Sequence, residues 1–367
     1  MIICSYEDRP SDVVGLKLLV CSVQRHLPDI AVHIGCPGAP AAFARWMAGR
    51  TNVTLEQIVD PTLKGWNAKP VLLLRLLEAG HDSVTWMDSD LIVAGDFRAP
   101  LKDDQALVLT NELAWKPHEE ALMRTRGWNL PLGHRSSGLV NSAFLRVGQQ
   151  HRPLLQEWIR LLKTPAYQVA QTLPFHTRPP HMIGDQDVLS ALLGSAAFCE
   201  LPVTILSRGL DIIHDIQGGY HPWDRLANLA RPMPPLVHAQ SYKPWRFLVP
   251  PSPLREPTRY YHLIHVETSP YGHVARQYSD ELDDEAPWLN VRSLPGKLAN
   301  AMALGNPHLP GLPQALVGRL RDRQIRARHQ LTRVGRAARR LMSRMNLVAD
   351  QTTVERAAGV NEEIQVR

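Results

Sequence analysis

The feature that most constrains this chain is an alternation, through its first half, of short apolar runs with segments of helical spacing. IICSY (2–6) reads as a strand. Residues 13–26 read as a helix, because Val13, Leu16, Val20 and Val23 recur every three or four positions. IAVHIG (30–35) reads as a second strand and VTLEQIV (53–59) as a third. In KPVLLLRLLEAG (69–80), Pro70 suits the first turn of a helix and Gly80 its stop. SVTWMD (83–88) is then a buried strand. Such alternation predicts an α/β fold with a mostly parallel sheet, in which ligands gather at the carboxyl ends of strands.

Further on, LVLTNE (107–112), GLVNSAFLRV (138–147), a helix over 153–162 and DQDVLSALLG (185–194) continue the pattern. Residues 215–260 are rich in Pro, Gly and aromatics, which predicts irregular loops and short strands. The expected organisation is a catalytic domain over 1–250, an irregular segment over 251–310 that packs on it, a basic amphipathic helix over 311–347 and a flexible tail over 348–367. At 367 residues the chain is long enough for one large core with an appendage.

Bulk properties exclude several classes. No stretch of about 18 apolar residues is present to span a bilayer. The first residues read as a strand rather than as a basic-flanked leader, so the expectation is a cytoplasmic protein. Four scattered cysteines without a CxxC pair argue against a disulfide framework or a structural zinc site. The net charge is +6, yet residues 317–346 carry ten arginines against the single acid Asp322, which leaves the remainder at about −3. A body of that balance is not expected to bind nucleic acid.

The strongest local signal is TWMDSDLIV. In an extended segment, Asp88 and Asp90 would point the same way across Ser89. Two carboxylates delivered to one point repel unless a cation sits between them. Oxygen ligands favour Mg²⁺ or Mn²⁺, and such ions bind phosphate oxygens. The same pair could also be two surface acids at a strand end.

Other segments give weaker signals. Asn141 and Ser142 interrupt an apolar strand and need partners, which sugar hydroxyls or the backbone could supply. Asp185, Gln186 and Asp187 open an apparent helix, where acids also cap the dipole. VHAQSYKPW ends a strand at His238, then presents Lys243 and Trp245. Imidazole can complete a carboxylate-lined metal site, and lysine can meet phosphate as a point charge.

Taken in order, MDSDLIV, VNSAFL, GDQDVL and H-x₄-KPW resemble the GT-A-fold retaining glycosyltransferases of the glycogenin and lipopolysaccharide galactosyltransferase type, a family-8-like pattern running from Met1 to about Trp245. The resemblance implies a single α/β domain whose N-terminal half binds a nucleotide. It implies Mn²⁺ or Mg²⁺ on Asp88, Asp90 and His238, Lys243 on the diphosphate, and sugar contacts from Asn141, Ser142, Asp185 and Asp187. Gln186 would lie near the reacting face of the anomeric carbon, with Asp185 beside it as a second catalytic candidate. Trp245 would belong to the donor site. Tyr6 could stack on a base and Asp8 accept from it, although both could equally form a solvated turn. Lys69, on the helix before the metal strand, is the candidate basic residue for the donor, with Arg75 as its competitor.

The expected activity is therefore sugar transfer from a nucleotide sugar to a glycan or lipid-linked acceptor, with retention. A non-catalytic sugar or nucleotide binder is the alternative. A haloacid-dehalogenase-type phosphatase also carries DxD after an apolar strand, but it needs a nucleophile near its first strand. The arginine-rich segment 317–345 has an apolar stripe and a cationic face, so it could lie on an anionic membrane surface or pack on protein.

Overall fold

The structure, a computed structural model, describes residues 1–57, 64–112, 114, 116–215, 220–240, 243–246, 249–282 and 286–320. Met1–Ala315 form one compact unit, and Leu316–Arg367 a second. The basic helix expected over 311–347 lies, from residue 321 onward, outside the described residues, as does the tail expected over 348–367. Among the described residues, no helix is long and apolar enough to cross a membrane.

Among the described residues, ten strands are β1 (Ile2–Tyr6), β2 (Ala31–Gly35), β3 (Val53–Glu56), β4 (Ser83–Met87), β5 (Leu91–Val93), β6 (Leu107–Asn111), β7 (Val140–Gly148), β8 (Val203–Leu206), β9 (Ile212–His214) and β10 (Leu236–His238). The helices are α1 (Val13–His26), α2 (Ala41–Ala48), α3 (Lys69–Glu78), α4 (Pro117–Gly127), α5 (Arg152–Leu162), α6 (Pro165–Thr172), α7 (Asp185–Leu193), α8 (Pro222–Ala227), α9 (Pro257–Glu267), α10 (Pro270–Ala275) and α11 (Leu294–Met302).

Seven strands form one sheet in the order β3-β2-β1-β4-β7-β6-β8, and three form a second in the order β5-β10-β9. In the large sheet β3, β2, β1 and β4 run parallel, β7 is antiparallel to both neighbours, and β6 and β8 are parallel. The predicted α/β class with a mostly parallel sheet is what the chain adopts. Crossover helices cover both faces. Val71, Leu73, Leu76, Leu155, Trp158, Leu189 and Leu192 build the core on one side, with residues of α3, α5 and α7. On the other, Leu16, Leu19, Val20 and Val23 of α1 join Phe43 and Met47 of α2.

The opposite face of α1, with Val14, Leu18 and Cys21, packs into a third cluster with Tyr271, Val274 and Trp288. Helix α1 is thus sandwiched, which is why its middle is buried nearly all round.

Two expectations change. Residues 257–302 include three helices where an irregular segment was expected. Each begins with a proline in its first turn, and Ser269 and Ser293 cap α10 and α11 by accepting from Gly272 N–H and Gly296 N–H. These are local start signals in short segments. Second, residues 88–90 are not extended. Leu91 N–H donates to the Asp88 carbonyl at 3.0 Å, which closes a turn between β4 and β5.

Candidate functional site

That turn carries the chain from one sheet to the other. β4 belongs to the large sheet and β5 to the small one, so Asp88-Ser89-Asp90 sits at the junction. β10 pairs antiparallel with β5, placing His238 opposite Leu91, and Ala239 N–H donates to the Asp90 carbonyl at 3.0 Å. Sheet register, not chain proximity, brings His238 to the acids.

One ligand atom from each of Asp88, Asp90 and His238 falls within 4.8 Å of the others. His238 Nε2 lies 3.3 Å from Asp90 Oδ1 and 3.9 Å from Asp88 Oδ2. The two acids converge as predicted, but a tight turn aims them rather than strand alternation. Ser89 points the other way, donating at 2.7 Å to Glu7, which Arg9 also holds. Gly15 of α1 allows this turn to sit so close: a Cβ there would lie 2.3 Å from the Ser89 carbonyl oxygen and 2.7 Å from the Trp245 ring.

The charges around the pair differ. Asp88 Oδ1 accepts from the Trp86 indole at 2.6 Å and lies 3.2 Å from Lys69 Nζ, leaving Oδ2 toward His238. Asp90 is buried and its Oδ2 is paired with Lys243 at 2.5 Å. Burial alone would push the Asp90 carboxyl up, but Lys243 and then His238 outweigh it and hold it well below the usual carboxylate range. Two carboxylates and a borderline imidazole nitrogen form a donor set suited to Mn²⁺ or Mg²⁺. The buried Asp90 already demands a cation, which Lys243 supplies. The residues present fit a small dication.

A cleft of about 550 Å³ opens above these groups. Tyr6, Asp8, Asp88, Asp90, Asn141, Gln186, His238 and Lys243 all line it, with Glu7, Arg9, Trp66 and Gln240 completing much of its wall. Its size suits a nucleotide-sized ligand. Asp8 Oδ2 accepts from Gly65 N–H at 2.8 Å, so it is part of a held loop rather than a solvated turn.

Five predicted site residues stand behind this wall instead of in it. Lys69 is fully buried and donates to Ser142 Oγ at 2.7 Å and to its carbonyl at 2.9 Å; it also lies 3.2 Å from Asp185. Ser142 passes the contact on, donating to Asp185 Oδ2 at 3.0 Å. Burial pushes the Asp185 carboxyl up while Lys69 opposes it; for Lys69, burial is outweighed by Asp185 and Asp88, which keep it protonated. Asp187 accepts from Arg124 at 2.6 Å and from Gly184 N–H at 3.0 Å, so it caps α7. Burial raises its carboxyl to about 6 against the pull of Arg124. Trp245 is packed among Tyr271 and Trp288 with its indole donating to Asp12 at 3.0 Å. It anchors the Lys243 segment. Arg75, the competitor of Lys69, bonds Glu56 near the surface at 2.8 Å.

Asn141 is neither sugar-dependent nor backbone-only for partners. Where the β6–β7 register shifts between Leu109 and Thr110, its Oδ1 accepts from Ala143 N–H and its Nδ2 donates to Glu112. Such irregularities re-aim side chains beside sites. Glu112 Oε2 accepts from Asn141, Gln186 and Gln240 at 2.8, 3.2 and 3.0 Å, joining three amides into one wall. Sequence reasoning missed Glu112, because nothing local marks a carboxylate that meets its partners only through tertiary contact; it missed Glu7 and Arg9, because a pair two residues apart reads as a surface ion pair until Ser89 joins it. A second grouping, His134, Cys199 and Glu200, also brings ligand atoms together, but His134 and Glu200 are exposed and the site lacks a buried charge that demands a cation.

No protein-family model matches the chain, and no curated protein matches it. Among solved structures it is similar to the galactosyltransferase LgtC in complex with donor and acceptor sugar analogues, at 18% identity over 67% of this chain and 89% of that one, with a TM-score of 0.42. It is also similar to the glycosyltransferase GlyE of Streptococcus pneumoniae, at 16% identity over 66% and 56% of the two chains and a TM-score of 0.43. Mouse xyloside xylosyltransferase 1 aligns at 14% identity over 65% and 97%, with a TM-score of 0.39.

Proposed function

We propose that this chain is a glycosyltransferase that takes a sugar from a nucleotide-sugar donor and passes it, with retention, to a glycan or lipid-linked acceptor. One observation carries this reading: Asp88, Asp90 and His238, drawn from two sheets, converge within 4.8 Å on the wall of a nucleotide-sized cleft. The order of sequence motifs gives the reading its specific form.

Asp88, Asp90 and His238 would hold Mn²⁺ or Mg²⁺, which when bound offsets the negative charge of a departing diphosphate. Lys243 is placed to move from Asp90 to a diphosphate oxygen, since a dication on Asp90 takes over its present role. Tyr6 and Asp8, which line the same cleft, would receive the base. Gln186 gives its amide N–H to Glu112, and its carbonyl oxygen would meet positive charge developing at the anomeric carbon. Asn141 would contact the sugar. Lys69, Ser142, Asp185, Asp187 and Trp245 would act by positioning: the first three brace Asp88, the fourth fixes the start of α7, and the last fixes Lys243. The acceptor hydroxyl attacks, and the departing phosphate oxygen takes its proton. Positioning and electrostatics supply most of the rate.

A thermal-shift screen of nucleotide sugars, each with and without Mn²⁺, tests the donor. Stabilisation by one base and sugar that needs the metal is expected. Uniform behaviour across the panel would contradict donor recognition. A donor that binds tightly but is never turned over would favour the non-catalytic binder.

A further inference from the structure

Strands β9 and β10 run parallel and in register, so His214 pairs with His238 across the small sheet. Both strands end on the same pattern, two branched aliphatic residues or leucine followed by histidine: Ile212-Ile213-His214 and Leu236-Val237-His238. The rings meet edge to face, and their Nδ1 atoms lie 2.9 Å apart. Both residues are buried. Among the described residues, His214 Nε2 has no hydrogen-bond partner, so the Nδ1 contact is the one polar contact found for that ring.

Two neutral imidazoles facing each other through Nδ1 can share only one proton between those atoms. If His214 held the shared proton, His238 would carry its own on Nε2 and face the acids as a donor. His238 Nε2 lies 3.3 Å from Asp90 Oδ1, and a cation held between the two would require the lone pair of that nitrogen. If His238 holds the shared proton, its Nε2 presents a lone pair to Asp88 and Asp90, the form a ligand requires.

We infer that His214 is a positioning residue for the cation site: it accepts the Nδ1–H of His238 and thereby fixes the His238 ring and tautomer with the Nε2 lone pair aimed at the acids. This rests on the cation reading proposed above. A neutral imidazole does here what a carboxylate or carbonyl does behind most metal-ligating histidines. The choice has a physical advantage, because it orients the ligand without adding another negative charge beside Asp88 and the buried Asp90.

The test uses the full chain and Mn²⁺ alone. His214→Phe removes the acceptor, whereas His214→Asn can place its amide oxygen near the position of Nδ1. Titration followed by the free-Mn²⁺ electron paramagnetic resonance signal should show affinity falling about 10- to 100-fold in His214→Phe and staying near wild type in His214→Asn. Long-range ¹H–¹⁵N spectra of the wild type with Mg²⁺ should show His238 protonated on Nδ1 and not on Nε2. Unchanged Mn²⁺ affinity in a folded His214→Phe, or equal losses in both variants, would overturn the inference while leaving the cation site standing. Should His214→Phe fail to fold, the wild-type spectra decide, and a proton on His238 Nε2 in the Mg²⁺ form overturns it. A wild type that binds no Mn²⁺ would instead overturn the cation site itself.

Discussion

Lys69 Nζ lies 3.2 Å from Asp88 Oδ1, so the first acid of the cleft is tethered from behind by a buried ammonium. The same ammonium reaches Asp185 at 3.2 Å, and the Trp86 ring lies 5.2 Å away. A single side chain at the start of α3 therefore joins the 88–90 turn, β7 and α7.

Replacing Lys69 with Met should leave Asp185 buried without its counter-charge. The expected cost is about 3–5 kcal/mol of unfolding free energy, the usual penalty for breaking a buried ion pair from one side. Urea denaturation measures it. A loss below about 1 kcal/mol, the range of exposed pairs, would show that the tether contributes little.

How much of this was legible in the sequence follows from how local each feature is. β1, α1, α3 and β4 announce themselves by periodicity, and the Asp88–Asp90 pair by two acids at the end of an apolar strand. His238 is nearly 150 residues away along the chain, and only the order of motifs connected it to the acids; the β5–β10 register is what brings it there. Lys69 could be placed on its helix but not in its buried position, since a lysine in an apolar helix ordinarily faces water. Glu112 carried no signal at all, because its partners Asn141, Gln186 and Gln240 come from three separate segments. His214 did have one: its strand repeats the aliphatic-aliphatic-His ending of β10. The turn at 88–90 was read as extended because an i to i+3 bond leaves no mark in so short an apolar-to-acidic transition.

Gly15 tests the packing that sets this turn. In Gly15→Ala the new Cβ meets the Ser89 backbone, which cannot swing aside as a side-chain tip would. Destabilisation of about 1–3 kcal/mol is expected from such overpacking. Mn²⁺ affinity should fall as well, because Asp88 and Asp90 flank the displaced residue. Thermal melting and Mn²⁺ titration report the two effects separately, and a variant unaffected in both would contradict the close approach.

His151 should make the fold acid-sensitive. Its Nδ1 accepts from Gly148 N–H at 2.9 Å, which requires an unprotonated ring nitrogen, and burial, helped by Arg146, lowers the imidazole to about 4. The unfolded histidine binds its proton near pH 6.5, so between about pH 6.5 and 4 the unfolded state holds more protons than the folded one. Stability contributed by the neutral ring is present above that window and is lost as pH falls through it. Unfolding free energies of wild type and His151→Asn, measured from pH 4 to 7, should show a shallower acid limb in the variant. Identical slopes would assign the acid loss to other groups.

A dication held by Asp88, Asp90 and His238 would act on the diphosphate of a nucleotide sugar. The direct measurement is release of nucleoside diphosphate from the donor that the stability screen selects, made with Mn²⁺, after chelation, and after Mn²⁺ is restored. Turnover that stops with chelator and returns with metal is the predicted result, with Asp90→Asn inactive throughout. Equal rates in the presence of Mn²⁺ and of chelator would contradict it.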